Sequence, residues 1–228
     1  AFTTSGLVNG DTVTGVTETS TGAVASAAIG NYAIVASGAA GTGLSNYTIT
    51  YVPGTFTITK APAFITLTAA NKVYDGNTTA SVTFSDDRVA GDSFTVGYTS
   101  ALFSDKNVGT NKTVTASVSL TGTDAGNYAL ASPITGTANI AKKTLTGTLA
   151  ASNKTYDGNT AAAVSGGTIA ALIDDAVAVS AAGVVASFAD KMAANGKSVT
   201  ASGYALSGAD ASNYQLVQPA AAPSLPGM

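Results

Sequence analysis

The stretch Lys72-Val73-Tyr74-Asp75-Gly76-Asn77-Thr78 returns as Lys154-Thr155-Tyr156-Asp157-Gly158-Asn159-Thr160. About 80 residues separate the copies, the length of a small domain. Two copies in series point to tandem modules rather than to one catalytic cleft. Asp-Gly between apolar-patterned runs signals a hairpin, because glycine accepts positive φ and aspartate bonds nearby backbone amides. Tyr74 and Tyr156 stand just before the turns. Each ring is expected to plug the end of a core with its hydroxyl outward. Tyr74, Asp75, Gly76, Asn77, Tyr156, Asp157, Gly158 and Asn159 are therefore read as structural turn residues. The rival reading, a metal or acid–base role for Asp75 and Asp157, suits a doubled motif less well.

Other matches keep the same order around the two copies. Phe103-Ser104-Asp105-Lys106 answers to Phe188-Ala189-Asp190-Lys191, with Met192-Ala193 where Asn107-Val108 stood. Lys112-Thr113-Val114-Thr115 answers to Lys197-Ser198-Val199-Thr200, and the turn running from Gly122 to Tyr128 answers to the one from Gly208 to Tyr214. These matches set three units: 1–62, 63–143 and 144–228. The first has Asn31-Tyr32 and Asn46-Tyr47 but no Tyr-Asp-Gly, so it is read as incomplete at its start. Lys60-Ala61-Pro62 and Lys142-Lys143 are read as joints.

Strands are expected throughout. Gly6 to Val13 reads as strand, Asn-Gly turn, strand. Leu44 to Tyr51 alternates with Tyr47, Ile49 and Tyr51 on one face, and Val114 to Leu120 is the longest clean alternation. Pro219 to Pro223 is rich in Pro and Ala and is read as a loose tail without a closing strand. The fold class is all-β: small β-sandwich or β-grasp-like modules of five to eight short strands, arranged end to end.

Composition agrees and also excludes. Of 228 residues, 45% are hydrophobic and 10% charged, against about 25% charged in ordinary globular chains. Glu18 is the only Glu and Arg88 the only Arg, and His, Cys and Trp are absent. The net charge of −3 argues against nucleic acid, which needs a basic patch. Without Cys there is no disulfide or thiolate metal site. No apolar run reaches the ~18 residues of a transmembrane helix, so no membrane insertion is expected. Ala1 stands where Met or a leader would begin, and the chain is read as a piece of something longer.

The two Tyr-Asp-Gly-Asn-Thr stretches, the Phe-x-Asp-Lys loops and the Gly-x-Asp-Ala-x-Asn-Tyr turns resemble the YDG and MBG repeats of large bacterial surface adhesins. Gly6-Leu7-Val8-Asn9-Gly10-Asp11 and Asn46-Tyr47-Thr48-Ile49 are similar to the MBG-type repeat. Such adhesins look like filamentous haemagglutinins exported by two-partner secretion. The resemblance implies a secreted or cell-surface stalk, associated with the outer membrane, that spaces an adhesive tip and supports biofilm or surface attachment. Its partners would be neighbouring repeats of the same long chain. It carries over no catalytic residue.

Chemistry has little material here. The usual general bases and thiol nucleophiles are missing, and no enzyme is expected. No cofactor is expected either. The doublets Asp86-Asp87 and Asp174-Asp175, which stand at comparable places in the two repeats, are the carboxylates that offer themselves to Ca2+, although it wants six to eight oxygen ligands. Asp105-Lys106 and Asp190-Lys191 are read as adjacent ion pairs. Asn127-Tyr128 and Asn213-Tyr214 offer a ligand rim for a polysaccharide, against corner packing of the tyrosines. Self-association with other adhesin chains, by strand addition to the incomplete first unit, is the remaining alternative.

Overall fold

The computed structural model describes residues 1–172, 174–218 and 222–223. Every regular element among them is a β-strand or a short 3-10 turn. The chain is all-β, in several small sheets.

One ribbon recurs. Thr12–Thr19, Gly30–Thr42 and Gly54–Ile58 make an antiparallel sheet with Gly30–Thr42 in the middle. Thr95–Phe103, Gly109–Thr121 and Ile134–Ala141 repeat that order, and Lys72–Val73 adds a parallel edge. Both middle strands are 13 residues long. Alternation explains why Gly109–Thr121 forms a strand: its threonines and serines face out while Val114, Ala116 and Val118 are buried. In the third repeat the ribbon is broken in two. Val185–Phe188 pairs with Ser198–Ser202, and Ala178–Ser180 pairs with Ala205–Ser207. Gly203 sits at the break with φ 90, its backbone pressed on the Gly183 carbonyl; only glycine tolerates both.

A second pattern opens each complete repeat. Ala61–Ala63 runs parallel to Tyr128–Leu130, and Lys143–Thr146 runs parallel to Tyr214–Val217. The expected joints at Lys60-Ala61-Pro62 and Lys142-Lys143 thus lead straight into strands. Next come Ile65–Ala69 paired with Val82–Asp86, and Thr148–Ala151 antiparallel to Val164–Thr168.

Four expectations need correction. Residues 6–8, expected as a strand before the Asn-Gly turn, are not one, and the first strand starts at Thr12. Residues 47–53 are not a strand, and Leu44–Asn46 is a 3-10 turn. The tyrosines there use their hydroxyls instead of pairing backbones: Tyr51 accepts from the Ala39 amide at 2.9 Å. The Asp-Gly motif is not a hairpin either. Lys72–Val73 pairs with Ile140–Ala141, whereas Thr79 bridges to Leu102, so the two sides of the turn belong to different partners. Of the stretch expected as a loose tail, Ala222–Pro223 is a short strand against Ser198 and Val199; residues 219–221 lie outside the described residues.

The described residues gather into two compact units, and the division falls inside the second repeat. One unit comprises Ala1–Ile65, Asp86–Gly97 and Ser119–Ala131; the other comprises Thr66–Ser85, Tyr98–Val118 and Ser132–Met228. In the first, Ala63, Phe94 and Tyr128 form a buried cluster flanked by Ile65, Val96 and Leu120. In the second, Leu67, Tyr74, Phe103, Val114 and Ile140 are buried with the third repeat's Leu145, Val199, Tyr204 and Tyr214.

Candidate functional site

The repeated heptamer is a loop folded around its own lysine. The Lys72 ammonium donates to Asp75 Oδ1 at 2.7 Å, to the Asn77 carbonyl at 2.8 Å and to the Thr79 carbonyl at 3.1 Å. Asp75 also accepts from the Asn77 amide, and Asn77 Oδ1 accepts from the Thr79 amide. Lys154 repeats the set on Asp157, Asn159 and Ala161. Gly76 and Gly158 take φ 80 and 81, which lets these successive side-chain turns close. Burial pushes the Asp75 carboxyl up, but Lys72 and the Asn77 amide outweigh it and hold it below the usual range. The lysine thus stands where a cation would stand, and Asp75 and Asp157 are committed to it.

The Phe-x-Asp-Lys loop uses the same device with a different lysine from the one expected. Asp105 pairs with Lys112 at 2.7 Å, and Asp190 pairs with Lys197. Neither carboxylate pairs with the adjacent Lys106 or Lys191, which are left to project elsewhere.

A second device occurs three times. Tyr128 donates to Asp92 Oδ2 at 2.6 Å and accepts from the Val89 amide at 2.9 Å. Tyr214 donates to Asp175 Oδ2 at 2.5 Å and accepts from the Leu172 amide at 3.2 Å. Tyr47 donates to Asp11 Oδ2 at 2.9 Å and accepts from the Val8 amide at 3.0 Å. In each case the aspartate's own amide returns to the carbonyl of Val89, Leu172 or Val8. The tyrosine follows a 3-10 turn ending in Asn46, Asn127 or Asn213. We call this arrangement the latch. The sequence carries a signal for it: aspartate and tyrosine stand 36 residues apart in the first two and 39 apart in the third. The latch therefore equates Asp175 with Asp92, not with the Asp86-Asp87 doublet.

Within the second of the two units, the third repeat's latch receives the second repeat's heptamer. Tyr74, 1% exposed, packs edge-on against Tyr214 with centroids 5.4 Å apart. Its hydroxyl is not outward; it donates to Asp175 Oδ1 at 3.0 Å. Lys106 reaches the same oxygen at 3.2 Å and Asp210 Oδ1 at 3.6 Å. Asn213 Oδ1 accepts from the Val108 amide, and its Nδ2 donates to Asn107 Oδ1. Leu172 lies over Gly76, 3.1 Å from where a Cβ would be. Burial would raise the Asp175 carboxyl, but Tyr214, Tyr74 and Lys106 together hold it below the usual range. Burial, and then Asp175, push the Tyr214 phenol up to about 12.

The candidate ligand residues are placed as follows. Asp86 takes a two-pronged pair from Arg88, at 2.7 and 2.6 Å. Asp87 accepts from the Phe64 amide. Asp175 is the clamp just described, and Asp174 is exposed beside it. Among the described residues, no group of three or more His, Cys, Asp or Glu is placed to hold a metal ion. Of the rim expected at Asn127-Tyr128 and Asn213-Tyr214, Asn127 is exposed and the other three residues are buried. The Tyr128 and Tyr214 rings are 4% and 2% exposed, with hydroxyls turned inward to carboxylates. Tyr156, by contrast, is 61% exposed and plugs nothing.

A family model described as YDG domain matches residues 58–136 and 141–222, and one described as MBG domain (YGX type) matches residues 1–57. No curated protein and no solved structure matches the chain.

Proposed function

Since the chain belongs to the YDG domain family, we propose that it is the structural stalk of a secreted or cell-surface bacterial adhesin, holding an adhesive tip away from the outer membrane. One observation carries this reading. The second and third repeats are locked by the Asp175 clamp, which takes Tyr74 and Lys106 from one repeat and Tyr214 from the other. A joint with buried, oriented partners resists bending in a way that a linker of free residues does not. Asp175 is committed to this joint, and Asp75 and Asp157 to the lysine-centred loops.

The test is display on a cell surface, with the chain between a membrane anchor and a known adhesive tip. Replacing it by a Gly/Ser linker of equal residue count is expected to lower attachment under flow. Replacing it by unrelated rigid β modules of equal length is expected to restore attachment. If unrelated modules fail and only this sequence works, the chain is itself the binding module and the stalk reading is wrong.

A further inference from the structure

The latch, the receiving half of the internal joint, occurs in two forms. In the third repeat a second carboxylate stands beside Asp175. Asp210 precedes the turn Ala211–Asn213, accepts the Ala176 amide on Oδ2 at 2.9 Å and returns its own amide to the Ala176 carbonyl. The second repeat has the same arrangement. Asp124 precedes Ala125–Asn127, accepts the Ser93 amide on Oδ2 at 2.8 Å and returns its amide to the Ser93 carbonyl. In the first repeat Gly43 holds that position, at φ 72. A Cβ there would collide with the Asp11 carboxylate, so this latch is closed to a second acid by its first one. Val8, Asp11 and Tyr47 otherwise keep the bonds of Leu172, Asp175 and Tyr214.

The two residues that enter the joint respond differently to this difference. Tyr74 uses Asp175 alone, and every latch keeps such a carboxylate, Asp11 or Asp92, beneath its own tyrosine. Lys106 uses two acids: its ammonium lies 3.2 Å from Asp175 Oδ1 and 3.6 Å from Asp210 Oδ1. Asp175 already serves two phenols, so Asp210 brings the second negative charge. An ammonium drawn partly out of water is compensated only by well-placed partners, and two carboxylates around one nitrogen repel each other without it. We propose that Lys106 is the specificity-determining residue of the joint. A face that carries this lysine seats on a two-carboxylate latch and discriminates against a glycine latch of the first repeat's kind. The contact thereby sets which kind of repeat can follow which. It goes beyond the stalk reading, which asks only that the joint be stiff and stands even if the joint is unselective.

The experiment follows opening of the joint itself. The Val108 amide crosses the joint to Asn213 Oδ1 at 2.9 Å. Its hydrogen exchange, measured by NMR on the whole chain, reports local opening, while the amides of the Gly109–Thr121 ladder report folding. Asp210→Gly copies the first repeat's latch, and Asp210→Asn keeps an oxygen for the Ala176 amide. Each is expected to lower Val108 protection at least ~3-fold, within the range for coupled residues in contact, while the ladder stays protected. In a Lys106→Met background the same changes are expected to cost nothing or to restore protection, because Asp210 is then only a like charge beside Asp175. Asp124→Gly removes the same local bonds from a latch that this joint does not use, and is expected to leave Val108 unchanged in both backgrounds. Equal losses from the Asp210 variants with and without Lys106 would mean that Asp210 serves only its own turn, and would overturn the proposal. So would Val108 protection that neither Asp210 variant alters, or ladder protection that falls in step with Val108 in both.

Discussion

A carboxylate with almost no access to water persists at Asp175 because two phenols and an ammonium reach it. Removing its charge leaves those donors facing a poorer acceptor. Asp175→Asn is expected to cost about 2–3 kcal/mol at neutral pH, since hydrogen bonds to a charged group contribute ~1.5–3 kcal/mol. The sign of the pH dependence follows from the depressed carboxyl. Its contribution is complete above the unfolded value of about 3.9 and is lost as pH falls through the lower folded value. Melting curves of wild type and Asp175→Asn should therefore differ at neutral pH and converge in acid; a gap that persists in strong acid would refute this. At this scale the sequence was half readable. Asp75-Gly76 announces a turn through its residue types alone. The fate of the Tyr74 hydroxyl depends on a residue 101 positions away, which no local pattern encodes. The doublets Asp86-Asp87 and Asp174-Asp175 invite alignment because they look alike. The spacing from aspartate to tyrosine, 36 residues twice and 39 once, is the deeper regularity, because it fixes which carboxylate lies beneath which ring.

At the scale of elements, alternation served well where a strand had a partner strand. Gly109–Thr121 keeps its period of two with Val114, Ala116 and Val118 inward. The same alternation at residues 47–51 gave no strand, because pattern reports which side chains share a face and not whether a neighbouring backbone is there to pair with. Glycines inside strands show the same dependence on neighbours. Gly136 lies in Ile134–Ala141, and a Cβ there would come 2.6 Å from Leu67 Cδ2 and 2.9 Å from the Leu67 carbonyl. The close approach is to backbone as well as side chain, so repacking a rotamer does not relieve it. Gly136→Ala is expected to destabilise by about 1–3 kcal/mol, the ordinary cost of overpacking a filled site. Gly15 in Thr12–Thr19 has nothing within 4 Å of the same position. Gly15→Ala therefore serves as the control, expected to be neutral or stabilising by roughly 0.5 kcal/mol through the unfolded state. Equal losses for both in urea titrations would mean that the Leu67 contact is not what decides the cost.

At the scale of the molecule, the repeats differ most in how much ladder each can raise. The second repeat's hairpin strands run for 9 and 13 residues. In the third repeat the corresponding ribbon is cut into strands of 3 to 5 residues. A module of about 80 residues already buries a modest core, and one with interrupted strands depends more on its neighbour. In a linear array, stability is approximately a sum of module terms and interface terms. Here the interface term is concentrated in the ring of Tyr74 and the acceptor beneath it. Tyr74→Ala is expected to remove about 3–5 kcal/mol, the usual cost of emptying a buried aromatic site. The form of the loss is more informative than its size. If the joint is what lends the third repeat its stability, calorimetry of Tyr74→Ala should resolve a separate, lower transition for that repeat, and Tyr156→Ala should change little. A single transition that only shifts downward would mean that the two repeats share a common core, with the tyrosine as one packed residue among many rather than the pin between two modules.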